Sequence, residues 1–151
     1  MVQSSDRKIH PMSSTSKRIM VFGTFDLIHP GHRNFFKQAK ALAKNAYLIV
    51  SIARDKNVLR IKKYLPGNKQ SVRKANIAQL PEVDEVMLGG SQDHLPHIIK
   101  ARPDIIALGY DQTAYVDDLK AELKEAGLKT KIVRLKPHKP HIYKTSIIKN
   151  K

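Results

Sequence analysis

Apolar positions along this chain cluster into short runs separated by helical stripes. Residues 18–23, 47–53, 83–88, 105–108 and 131–135 carry runs rich in Val, Ile and Leu, the composition of strands buried on both faces. Between them, Phe35, Phe36, Ala39, Leu42 and Ala43 share one face of a helix, and residues 72–80, 95–101 and 116–126 give three more. Gly127 is placed to stop the last of these as a left-handed cap. Strand alternating with helix requires crossover connections, so the pattern predicts an α/β fold: a doubly wound, five-stranded parallel sheet in a single domain. The ligand cleft of such a sheet lies beyond the carboxyl ends of its strands, which gives weight to any motif directly after a strand.

Two stretches break the pattern. Residues 1–17 are polar and rich in Ser and Thr with no apolar period, so they are expected to form a flexible tail outside a domain spanning 18–151. Met12 offers an alternative start, and the tail lacks the continuous apolar core of a secretory signal. Residues 54–70 lack periodicity and hold Arg54, Lys56, Arg60, Lys62 and Lys63 ahead of Pro66-Gly67, which reads as a long functional loop.

Composition narrows the class of protein. The 151 residues include 41% hydrophobic and 27% charged positions, a globular balance with no run long enough to span a membrane. The absence of cysteine removes disulfides, a thiolate nucleophile and Cys-ligated zinc, and suits a cytoplasmic location. A formal charge of +15 draws polyanions, nucleotides or nucleic acid alike. No arginine-rich arm or RNA-binding signature is present, so a basic nucleic-acid-binding module is the lesser reading. Two histidine pairs, His94 with His97 and His138 with His141, lack neighbouring ligands at metal-site spacing and are read as surface or capping residues.

The chemistry concentrates directly after the first strand, in Gly23-Thr24-Phe25-Asp26-Leu27-Ile28-His29-Pro30-Gly31-His32. Pro30 and Gly31 suit entry into a helix, whose unpaired N–H groups and positive dipole end favour a phosphate. His29 and His32, three residues apart, are then close enough to converge on one anion. Attack on an α-phosphorus builds negative charge on its oxygens, and positioned donors stabilise it without a protein nucleophile. Gly23 is expected to admit a triphosphate close to the backbone, and Thr24 to add a hydroxyl or amide donor.

Gly23 to His32 resembles the GTFDxxHxGH signature of the cytidylyltransferase-like nucleotidyltransferases. That resemblance implies a Rossmann-like fold, with His29 and His32 on the nucleotide phosphates and Phe25, Asp26, Pro30 and Gly31 within the nucleotide-binding loop. It extends over most of 18–151, including Ile52-Ala53-Arg54-Asp55, Arg73 at the start of a helix, and Asp84-Glu85-Val86-Met87-Leu88-Gly89. It also implies a lysine over the triphosphate, which Lys62, ahead of Lys63, fits best, and relatives that are often dimers.

For the acceptor, Pro103 to Thr113, with Gly109-Tyr110-Asp111-Gln112 at its centre, resembles the matching stretch of archaeal-type FAD synthases. The implied reaction transfers AMP from ATP to FMN, with Mg²⁺ or another divalent cation entering on the triphosphate. Gly109, Asp111 and Gln112 then face the base or ribose. Lys144-Thr145-Ser146-Ile147-Ile148 resembles a Ser/Thr-rich element preceding a last helix, where Thr145 or Ser146 serves as cap and phosphate ligand. The chain departs from the pattern at Val72, where relatives often have Glu, and at Lys139-Pro140-His141-Ile142-Tyr143, which reduces an arginine-rich lead. Archaeal FAD synthases carry C-terminal cysteines that this chain lacks. CTP with glycerol phosphate or another phosphorylated alcohol is the alternative substrate pair.

Overall fold

A computed structural model describes residues 16–90, 95–109, 112 and 116–136. The chain runs β1 (Lys17–Gly23), α1 (Pro30–Lys40), β2 (Ala46–Ile52), α2 (Asp55–Lys62), α3 (Gln70–Ala78), β3 (Glu85–Leu88), α4 (Leu95–Ala101), β4 (Ile105–Leu108), α5 (Val116–Glu125) and β5 (Lys131–Arg134). The five strands form one parallel sheet in the order β3-β2-β1-β4-β5. The order reverses direction between β1 and β4, and the crevice that opens there is where open α/β sheets bind ligands.

Alternation along the strands divides the core in two. Ile19 and Val21 of β1, Leu48, Val50 and Ile52 of β2 and Ala107 of β4 join Phe36 and Ala39 of α1 and Ile77 of α3 on one face. Met20, Ile49, Ile106 and Leu108 turn to the other, against Ile98 of α4 and Leu119 and Leu123 of α5. Both faces of the central strands are therefore dry, which explains why they read as unbroken apolar runs. Gly127 adopts φ 77 as expected. Its N–H and that of Leu128 reach back to the Lys124 and Leu123 carbonyls, both at 3.0 Å, closing α5 in a Schellman motif.

The expected loop at 54–70 is the one element misread, because Asp55–Lys62 is helical. Its only buried side chains are Asn57 and Val58, so burial leaves no apolar stripe for periodicity to detect. Lys63 ends it in the left-handed region at φ 71. The expected tail, apart from Ser16 and Lys17, lies outside the described residues, as do Asp111, Thr145, Ser146, His94, His138 and His141.

Candidate active site

β1 delivers its last residue, Gly23, level with Ile52 of β2, and the Ala53 N–H donates to the Gly23 carbonyl at 2.9 Å. The chain then doubles back through Phe25, a non-glycine residue at φ 52. A Cβ on Gly23 would lie 2.5 Å from the Phe25 ring, so glycine is required there to seat that ring.

Phe25 in turn backs the histidines. Its ring meets His32 edge-on at 5.4 Å, and His32 stacks on His29 with centroids 3.8 Å apart and planes at 23°. His29 caps α1: its Nδ1 accepts from the Gly31 N–H at 3.1 Å, and its carbonyl accepts from the His32 N–H at 2.9 Å. The first-turn amides expected to be unpaired are thus held by His29 itself. With Nδ1 accepting, the neutral ring carries its hydrogen on Nε2, a donor suited to a phosphate oxygen. His32 Nδ1 is buried and has no hydrogen-bond partner among the described residues.

Burial lowers the pKa of His29. Burial also lowers that of His32, to about 4, helped by its neighbour His29 and opposed by the Leu27 backbone. Both rings are therefore neutral at pH 7 in the free protein, and stacking two cations at this separation is avoided.

The remaining motif residues hold the loop in place. Both Asp26 carboxylate oxygens accept backbone N–H groups, from Gly67 at 2.6 Å and Asn68 at 2.8 Å, while the Asn68 side chain donates to the Asp26 carbonyl at 3.0 Å. Arg73 is fully buried, with 0% exposure. Its guanidinium donates to the carbonyls of Asn68 at 3.0 Å and Thr24 at 2.8 Å and to the Asp55 carboxylate at 2.6 Å. Asp26 and Arg73 thus both brace the loop after β1. Gln112 likewise ties β1 to β4. It accepts from the Gly109 N–H at 2.8 Å and donates to the Phe22 carbonyl at 2.9 Å, so both ends of its amide are spent on the switch point. Gly109 serves the same junction through its carbonyl, which accepts from Arg134 at 2.8 Å.

Lys62 lies beside the same loop. It is exposed at the end of α2, with Nζ 3.4 Å from Thr24 Oγ1. Sequence reasoning assigned no role to Gln70 and Asn57. The Asp55 N–H donates to Gln70 at 2.8 Å and the Gln70 N–H returns to Asp55 at 3.1 Å, coupling the starts of α2 and α3. Asn57 donates to the Gly90 carbonyl at 2.7 Å, and Arg54 to that of Gly89. These contacts join residues far apart in the chain, and no local spacing announces them. A groove of about 560 Å³ on the outer side of α1 includes His29, Arg33 and Lys37, but not Thr24, His32 or Lys62. Its Arg33 is already paired with Glu82 at 2.8 Å.

The loop after β1 thus carries the stacked His29–His32 pair, with Lys62 beside Thr24 and the Asp26 carboxylate held by two backbone amides. A family model described as cytidylyltransferase-like matches residues 20–151. The chain belongs to the cytidylyltransferase-like family. Among its cytidylyltransferase-like relatives, the FAD synthase of Korarchaeum cryptofilum is 45% identical over 82% of this chain and 84% of that protein. The FAD synthase of Ferroglobus placidus is 42% identical over 80% and 76% of the two chains. In three dimensions the chain is similar to the lipopolysaccharide core biosynthesis protein from Thermoplasma volcanium, with a TM-score of 0.75 and 35% identity over 81% of this chain and 98% of that one. Among the described residues no helix is long and apolar enough to cross a membrane.

Proposed function

We propose that this protein is an FMN adenylyltransferase, transferring AMP from ATP to FMN to give FAD and pyrophosphate. The observation that carries the phosphate chemistry is the stacked His29–His32 pair, 3.8 Å apart, at the end of the strand beside the switch point. The flavin acceptor is supported by relatives named FAD synthase that match most of this chain at more than 40% identity.

In this reading an FMN phosphate oxygen attacks the α-phosphorus of ATP in line, and the bond to pyrophosphate breaks. The oxygen is already ionised, so no general base is needed; positioning and charge stabilisation supply the acceleration. His29, a neutral ring, is assigned to the α- and β-phosphates. His32 and the Thr24 hydroxyl bracket the same phosphates, and Lys62 approaches from the Thr24 side. A divalent cation belongs to the substrate, as Mg·ATP. Among the described residues no three His, Asp or Glu side chains converge as metal ligands, and a triphosphate-borne Mg²⁺ needs few protein ligands. Asp111 is assigned to the nucleoside, and Thr145 or Ser146 to the phosphates.

Mixing the protein with Mg·ATP and FMN is expected to release pyrophosphate and form FAD, resolved from FMN by chromatography. Turnover of CTP with glycerol phosphate, and none of ATP with FMN, would replace this reading with the alternative pair. A basic nucleic-acid-binding module would instead show no turnover with either pair and an affinity for nucleic acid that falls steeply with salt.

A further inference from the structure

We infer that the arch formed by the end of α2 and the turn after it is the platform for the isoalloxazine ring of the acceptor. This rests on the FMN reading above. Of the large apolar side chains exposed among the described residues, Leu59, Ile61, Tyr64 and Leu65 fall within this one segment, at 46%, 67%, 53% and 59% exposure. Four exposed apolar side chains in one short segment make it the candidate binding surface of this face.

The segment is held at both feet by the phosphate loop. At its start Asp55 is bonded to Arg73, which also holds the Thr24 carbonyl. Beyond its end, Gly67 and Asn68 donate to Asp26. The arch therefore keeps a defined position relative to the histidines although its crown is exposed. Lys63 takes the left-handed conformation at φ 71 to make the turn, a strain that persists only where surrounding structure imposes it.

The chemistry of the crown selects its occupant. Arg60, Lys62 and Lys63 interleave with the apolar positions, and Lys62 reaches Thr24. A ligand that matches has a phosphate at one end, by Lys62 and Thr24, and a flat apolar ring at the other, against Ile61, Tyr64 and Leu65. FMN has that form, and its phosphate must approach the α-phosphorus held at the same loop. A second copy of this chain fits less well, because it would set two faces carrying these cations against each other in a molecule of charge +15.

The test compares the unaltered protein with Tyr64→Ala and with the double variant Ile61→Ser/Leu65→Ser, all at exposed positions. It reads KM for FMN, KM for ATP, quenching of flavin fluorescence on binding, and sedimentation. Losing the ring contacts is expected to raise KM for FMN by about tenfold and weaken quenching in parallel, while KM for ATP stays within about twofold. FMN turnover with an unchanged KM in both variants would remove the platform and leave the activity standing. A change in sedimentation with KM for FMN unchanged would reassign the arch to self-association. Absence of both turnover and quenching in the unaltered protein would remove the activity and the platform together.

Discussion

His32 should make the free protein acid-labile well above the range where carboxylates protonate. Its pKa is lowered from the ordinary 6.5 to about 4, first by burial and then by His29, with the Leu27 backbone opposing. The unfolded chain therefore binds a proton between these values that the folded chain refuses. Stability is full above pH 6.5 and is lost as the pH falls towards 4. Each unit of pKa difference corresponds to about 1.4 kcal/mol, so acidifying from pH 7 to 5 costs about 2 kcal/mol through this one side chain. Urea unfolding across that interval, compared with His32→Asn, isolates the contribution because the other histidines titrate in both proteins. The variant is expected to lose about 2 kcal/mol less over the same pH range. Saturating ATP should flatten the dependence in the unaltered protein, since the triphosphate favours the protonated ring. Equal pH slopes in the two proteins would refute the argument that His32 is held neutral by burial.

Lys62→Ala is expected to lower kcat/KM for ATP by roughly 10²-fold, the scale of losing one charge-stabilising donor, with a melting temperature near that of the unaltered protein because the side chain is exposed. Arg73→Ala should instead cost about 3–5 kcal/mol of stability by urea unfolding, since it strips a fully buried guanidinium from Asp55, Thr24 and Asn68. Arg73→Lys should recover little of that loss, because one ammonium cannot reproduce the planar fork. Gly23→Ala drives a methyl into the Phe25 ring and is expected to destabilise by about 1–3 kcal/mol, with activity falling further as the histidine stack shifts. Unaltered turnover in Gly23→Ala, measured on folded protein, would show that the ring does not set the stack.

What could be read in advance followed from local rules. Strands buried on both faces announce themselves as apolar runs, and Gly127 announces a cap by being glycine after a periodic helix. The His29-Pro30-Gly31-His32 turn was legible because a strand end, a helix start and two imidazoles coincide within four residues. Helix α2 was not legible because, apart from Asn57, it buries one side chain, Val58, and turns Leu59 and Ile61 outward. The structural bonds of Arg73, Asp26 and Gln112 were not legible for a common reason. Their partners are backbone groups or side chains brought in from distant segments, and spacing carries no information about those.

Those bonds bear on how the site works. Asp26 and Asp55 are the carboxylates nearest the phosphate loop in the chain or through direct bonds, and each is occupied: Asp26 by two amides, Asp55 by Arg73 and Gln70. The amides fix Asp26 in place and Arg73 offsets the charge of Asp55, while the exposed charge beside Thr24 is the cation Lys62. The same bonds tie the 63–68 turn to the loop that carries the histidines, so the group that meets the acceptor and the group that meets the nucleotide share one support. A substitution at Asp26 should therefore disturb both substrates at once, raising KM for FMN together with KM for ATP, whereas Tyr64→Ala acts on FMN alone. A carboxylate that merely touched the nucleotide would instead raise KM for ATP and leave the acceptor unaffected.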